Sequence, residues 1–281
     1  MNYDDDAPFE VARYREMQKA LPAAGALYRL TRAYLETSLP EGAHIFVVGA
    51  GGGREIENIA ASDRQFLITG VDPSKDMLKI ARWFADTSGR PESVTLVEGV
   101  ASDVEAPSAG FDAATSLLVM HFLPDDQSAG GKLSYLRTIR ERVRTGGLLL
   151  HADVSVDEEV GVKAFEAAFL QHAHLAGLGP EDASRGPDII GAMPIVSAAR
   201  TETLLSEAGF SNPTLFFQAL WYRAWVARIA GHVAQRFHVR NSRLSDLQRK
   251  WVTGFASAIR ANKDLEPFAA SALNRVRRKR L

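Results

Sequence analysis

Four glycines fall within the five residues Gly49-Ala50-Gly51-Gly52-Gly53, directly after the apolar, β-branched run Ile45-Phe46-Val47-Val48. A helix-like pattern, Arg54-Glu55-Ile56-Glu57-Asn58-Ile59-Ala60, follows at once. This is the signature of a buried strand, a tight turn and a helix start. Glycine permits backbone angles closed to other residues and leaves no Cβ, so a ligand can lie against main-chain N–H groups there. A tight strand-to-helix turn would select glycine without any ligand, and that alternative stays open on the turn alone.

The next apolar run, Phe66-Leu67-Ile68-Thr69-Gly70-Val71, ends in Asp72. An acid about 20 residues past the glycines is where a βαβ unit places a ribose-binding carboxylate. Asp72-Pro73-Ser74 also opens a helix, so Asp72 or Ser74 can serve as its cap. The two roles coexist if Ser74 caps and Asp72 faces a ligand. Apolar runs then alternate with helical patterns through the chain, which predicts a parallel sheet covered by helices on both faces.

The glycine spacing is G-x-G-x-G, with Arg54 where a dinucleotide fingerprint would carry glycine. Together with Val71-Asp72-Pro73-Ser74, Met77, the run Gly110-Phe111-Asp112-Ala113-Ala114-Thr115-Ser116-Leu117-Leu118, the run Val143-Arg144-Thr145-Gly146-Gly147-Leu148-Leu149-Leu150 and Glu207-Ala208-Gly209-Phe210, it resembles the class I S-adenosylmethionine (AdoMet) dependent methyltransferases. The resemblance spans roughly residues 40–230. It implies an α/β, Rossmann-like methyltransferase fold: a seven-stranded, mostly parallel sheet with an antiparallel terminal strand, a helical N-terminal lid and a helical insertion. It implies AdoMet as cofactor, held by Val48, Gly49, Ala50, Gly51, Gly53, Asp72, Pro73, Met77, Val100, Ala101 and Leu117, with Arg29 reaching in from the lid. Val100 stands where the family usually has an acid that reads the adenine amino group. Leu117-Leu118-Val119-Met120 stands where relatives that methylate base or amide nitrogens carry N/D-P-P-Y/F/W, so that substrate class is not expected.

The implied division is a lid over residues 1–39, an AdoMet-binding domain over 40–230 with an insertion at 157–199, and a helical extension over 231–281. The lid offers Tyr14, Tyr28 and Arg29 toward cofactor or substrate. His121 has a side chain suited to proton transfer near neutral pH, and Asp153 lies at the carboxyl end of the fifth strand, where ligands of such sheets bind. Both are candidate catalytic residues, while Tyr14, Tyr28, His172 and Tyr222 are candidate substrate contacts. Each has an ordinary packing role as its alternative. His151 shares a strand face with Asp153. Lys132, Arg137, Arg140 and Arg142 read as the solvated face of a helix.

The insertion, the Glu207-Ala208-Gly209-Phe210 turn and the Phe216-Phe217-Gln218 strand resemble one branch of the family, the bacterial carboxy-AdoMet synthases. That branch holds an extra cofactor carboxylate with a basic residue in the insertion. Here Phe169-Leu170-Gln171-His172-Ala173-His174 has none, and Arg185 and Arg200 lie further along. Ordinary methyl transfer to a small molecule is therefore the expected reaction. A carboxy-AdoMet synthase-like enzyme and a non-catalytic AdoMet-binding regulator are the alternatives.

The chain has no cysteine, which excludes disulfides, thiolate metal sites and cysteine nucleophiles. His172 and His174 miss the i, i+4 spacing of two metal ligands on one helical face, so no metal is expected. A net charge of −1 carries no global signature of nucleic-acid binding. The terminal cluster Arg275-Val276-Arg277-Arg278-Lys279-Arg280 reads as solvated, with an acidic partner as its alternative. The acidic start and the lack of a long apolar run predict a cytoplasmic protein with no membrane partner. A homodimer is compatible with the chain.

Overall fold

A computed structural model describes residues 9–229. The C-terminal extension and its basic cluster, proposed as a helical unit, lie outside the described residues.

Two helices come first, α1 (Phe9–Lys19) and α2 (Ala24–Ser38). The core follows as β1 (His44–Val48), α3 (Arg54–Ala60), β2 (Leu67–Asp72), α4 (Lys75–Thr87), β3 (Val94–Glu98), β4 (Phe111–Leu117), α5 (Lys132–Arg142) and β5 (Val143–Val154). The inserted helices α6 (Lys163–Leu175) and α7 (Pro180–Gly191) precede α8 (Ala198–Glu207), β6 (Phe210–Ala219) and β7 (Tyr222–Ile229). The seven strands form one sheet in the order β3-β2-β1-β4-β5-β7-β6. All neighbours from β3 to β5 are parallel, and β7 runs antiparallel to both β5 and β6. The order reverses between β1 and β4, which opens a ligand crevice outside their carboxyl ends.

Residues alternate across β1 because successive strand side chains point to opposite faces. Ile45 and Val47 join Leu35 of α2, Ile56 and Ile59 of α3 and Leu78 of α4. Phe46 and Val48 join Leu133, Leu136 and Ile139 of α5 and Leu204 and Leu205 of α8. Phe46 stacks on Phe111 of β4 with ring centroids 4.7 Å apart. Both faces are dry, so β1 can be apolar throughout; burying each such side chain is worth roughly 1.5–3 kcal/mol.

The insertion is anchored by aromatic packing and one ion pair. Phe169 of α6 lies 5.1 Å from the ring of Trp221, which is fully buried between β6 and β7. Asp157 accepts from both guanidinium nitrogens of Arg223, at 2.9 and 3.2 Å, and from Ala198 N at 3.3 Å. The strand before the insertion is thereby tied to the start of α8.

The solvated reading of α5 needs correction. Lys132 is fully buried, and its Nζ donates to Met120 O and Leu123 O, both at 2.7 Å. Burial pulls its ammonium down to about 8. Arg142 donates to Val104 O, Thr138 O and Ser102 O. Lys132 lies four and seven residues before Leu136 and Ile139, on the helix's apolar stripe, so helical spacing overrides its charge.

Candidate functional site

The glycine loop sits at the switch between β1 and β4. Gly49 N and Ala50 N both donate to Val71 O at 2.9 Å, joining the loop to the end of β2. Gly53 has φ +83°, and a Cβ there would stand 2.6 Å from Ala81 Cα, so glycine lets α4 pack against the loop. Gly51 differs. A Cβ there would meet the Tyr14 hydroxyl and Met77 Cε at ordinary contact distances of 3.8 and 3.9 Å, while its φ of +48° favours glycine.

Asp72 borders the same loop. Its Oδ2 accepts from Gly51 N at 2.9 Å and its Oδ1 from Ser74 N at 2.8 Å, while Ser74 Oγ accepts from Met77 N and caps α4. Burial raises the Asp72 carboxyl, and the two backbone N–H groups oppose that shift. Each carboxylate oxygen keeps lone-pair capacity beyond its one backbone bond, enough to accept from two ribose hydroxyls. The glycine loop at the carboxyl end of β1 and the acceptor beside it fit AdoMet. Replacing Asp72 with alanine is expected to cost roughly 1.5–3 kcal/mol of AdoMet affinity by calorimetry. An unchanged dissociation constant in a folded variant would show that Asp72 only shapes the turn.

Val48 and Ala50 are buried at the loop, and Pro73 and Met77 are half-buried beyond it. Tyr14 lies across the loop, its ring carbon Cε1 2.5 Å from the position of a Cβ on Gly52. Burial pushes its phenol up to about 12, against the lowering effect of the Gly52 backbone. Tyr28 packs with Leu27 on Leu117, Ala152 and Ala224 and donates to Gln18 Oε1 at 3.1 Å. Burial raises its phenol far above the ordinary value.

At the expected adenine end, Val100 N donates to Asp103 Oδ2 at 3.0 Å. Asp103 closes the turn Ala101–Asp103, and Ala101 is buried beneath it. Arg29 is exposed beside Gly25, with Nη1 3.3 Å from where a Cβ on that residue would be. Tyr222, a candidate substrate contact with packing as its alternative, takes the packing role: it is only 6% exposed and belongs to the apolar cluster of Val154, Phe169 and Trp221. The tight β6–β7 connection turns its ring inward.

The structure brings His121 and Asp153 together. β4 ends at Leu117, Leu118 takes the left-handed φ of +61°, and a single turn Met120–Phe122 follows. That turn puts His121 over the end of β5, where Asp153 Oδ1 accepts from His121 N at 3.0 Å and meets His121 Nδ1. Asp153 is 1% exposed. Its carboxyl is held below the usual range by the His121 ring and by His151 and Lys132, which together outweigh burial. Among the described residues His121 Nε2 makes no hydrogen bond, and it is not among the fully buried unpartnered atoms. His151 shares the face as expected but is fully buried against Trp225, with ring centroids 6.1 Å apart, and burial lowers it to about 4. It is out of a substrate's reach.

Sequence reasoning missed Glu55. It sits in the first turn of α3 at 6% exposure, with Oε1 unpartnered and the Thr115 hydroxyl beside it but outside good hydrogen-bond geometry. Burial pushes its carboxyl up to about 8. The signal was available, because Glu55 precedes buried Ile59 by one helical repeat. Among the described residues no group of three candidate ligands could hold a metal ion, and no helix is long and apolar enough to cross a membrane.

Comparison with known proteins agrees with this geometry. Residues 45–147 match a family described as "Methyltransferase domain". A carboxy-S-adenosyl-L-methionine synthase of Dichelobacter nodosus is 22% identical over 213 residues, covering 75% of this chain and 86% of that protein. A ubiquinone biosynthesis O-methyltransferase of Chromobacterium violaceum is 32% identical over 106 residues, 38% of this chain and 42% of the relative, so the match spans under half of that enzyme. A SAM-dependent methyltransferase structure from Aquifex aeolicus superposes with a TM-score of 0.52 at 15% identity, over 77% of this chain and 98% of that one, a likeness of fold. The glycine loop, Asp72, the sheet order and the matched segment all converge: the chain carries a class I AdoMet-dependent methyltransferase domain in a Rossmann-like fold, with AdoMet as its cofactor.

Proposed function

We propose that the protein transfers the methyl group of AdoMet to an oxygen or nitrogen nucleophile of a small molecule, with oxygen favoured. The observation that carries this reading is the His121–Asp153 pair at the carboxyl ends of β4 and β5. AdoMet supplies an activated methyl on a sulfonium, so the protein's contribution is alignment, water exclusion and proton removal. Asp153 fixes the His121 tautomer with the proton on Nδ1, leaving Nε2 to accept a proton from the acceptor's hydroxyl. Asp72 holds the ribose hydroxyls. Tyr14, with α1 and α2 as a lid, covers the glycine loop, and the insertion at 157–199 closes the acceptor side. The Chromobacterium relative, an O-methyltransferase by name, supports oxygen.

The Dichelobacter relative supports a second reading, a carboxy-AdoMet synthase. Two observations weigh against it. Helix α6 carries no lysine or arginine after Lys163. Arg200, one of the two arginines further along, is committed to both oxygens of Asp125 at 2.8 and 2.9 Å. Incubation with methyl-labelled AdoMet and a cell extract, read by mass spectrometry, tests both. A labelled small-molecule product, with bound ligand of the mass of AdoMet or its demethylated form, is expected. Recovered cofactor heavier by one carboxylate would favour the synthase. Label that never leaves AdoMet would indicate a binding regulator.

A further inference from the structure

Beside the glycine loop, a cavity of about 360 Å³ opens between α1, the turn into α2, the start of α3 and helix α6. Its charged lining is cationic, from Arg15, Lys19 and Arg54, and among the described residues no aspartate or glutamate lines it. One carboxylate, Glu57, lies behind the two arginines, in contact with Arg54 Nη1 and 3.9 Å from Arg15 Nη2. The Phe84 ring lies under both guanidiniums at 5.1 and 5.4 Å, which fixes their planes. Lys19 makes no ion pair among the described residues. His172 adds a polar atom without a partner: it lines the cavity, and its Nε2 is buried with no hydrogen bond. Leu21 and Ala24 give the remaining wall an apolar character.

Like charges gathered in a partly enclosed cleft focus a positive potential and draw anions into it. A carboxylate has two oxygens and about four acceptor positions, so it can answer an ammonium and a guanidinium together. The volume suits a small molecule and excludes a folded partner. The cavity is separate from the cofactor cradle, because Gly49, Gly51, Asp72 and Met77 do not line it.

We propose that this cavity binds a small organic acid, its carboxylate held by Lys19 and Arg54. The inference goes beyond the methyl-transfer reading and does not depend on it.

The test uses the full chain saturated with S-adenosylhomocysteine, titrated calorimetrically with 4-hydroxybenzoate, 3-(4-hydroxyphenyl)propanoate and malate, each paired with its methyl ester. At least one acid is expected to bind about tenfold or more tighter than its ester, the usual scale of a charge-assisted contact. Lys19→Glu should weaken that acid by a further factor of about ten while leaving ester and S-adenosylhomocysteine binding unchanged. Lys19→Met should weaken the acid less, and unchanged melting curves would show that both variants fold. Acids binding no better than their esters, or a Lys19→Glu variant that loses S-adenosylhomocysteine and not the acid, would overturn the proposal. Failure of wild-type protein to bind S-adenosylhomocysteine would count against methyl transfer instead. Titration of the bare protein with the same acids then decides the cavity separately.

Discussion

Replacing His121 with alanine is expected to lower kcat by about 10²–10⁴-fold, the scale of a lost general base. AdoMet affinity should hardly change, because His121 lies across the crevice from Asp72 and the glycine loop in the proposed arrangement. Asp153→Asn should cost a comparable factor by a different route. The amide can present its nitrogen to His121 Nδ1, which disfavours the tautomer that leaves Nε2 free to accept. Added imidazole distinguishes chemistry from packing: it should restore part of the activity of His121→Ala and none of that of Asp153→Asn. Full activity in either folded variant, on the acceptor found in the extract screen, would remove the pair from the mechanism.

Glu55→Gln is expected to have the largest effect on stability, with a sign that depends on pH. The carboxyl titrates near 4.5 when exposed and at about 8 in the fold. Between those values the folded state binds more protons than the unfolded state, so stability falls as pH rises. Stability associated with the neutral acid is fully present below pH 4.5 and lost as pH climbs through about 8. The full loss is roughly 3–5 kcal/mol at the alkaline end. Glutamine keeps the shape and cannot ionise. Urea unfolding at pH 5 and pH 8 should therefore give similar values for the two proteins at the lower pH and a variant more stable by roughly 2–4 kcal/mol at the higher one. Parallel losses in both proteins would place the charged carboxylate in water and contradict the burial.

These two residues show how far a sequence can be read. β1, the glycine loop and β2 ending at Asp72 were all legible, because each is a local pattern of apolar period and turn residues. The division of labour between Asp72 and Ser74 was legible too, since capping geometry is set within three residues. The pairing of His121 with Asp153 was not, because 32 residues separate them and only the β4–β5 register brings them together. Lys132 and Glu55 misled for another reason. Both sit on apolar helical stripes, and residue type was given more weight than period. For Tyr222 the sequence left packing and substrate contact both open, because a two-residue connection, Leu220 and Trp221, decides which way the ring turns.

The central claim is that the glycine loop and Asp72 hold AdoMet. Calorimetric titration of the purified chain with AdoMet and, separately, with NAD tests it most directly. Affinity for AdoMet on the order of micromolar is expected, with NAD weaker by about a hundredfold or more. Tight NAD binding without AdoMet binding would contradict the account.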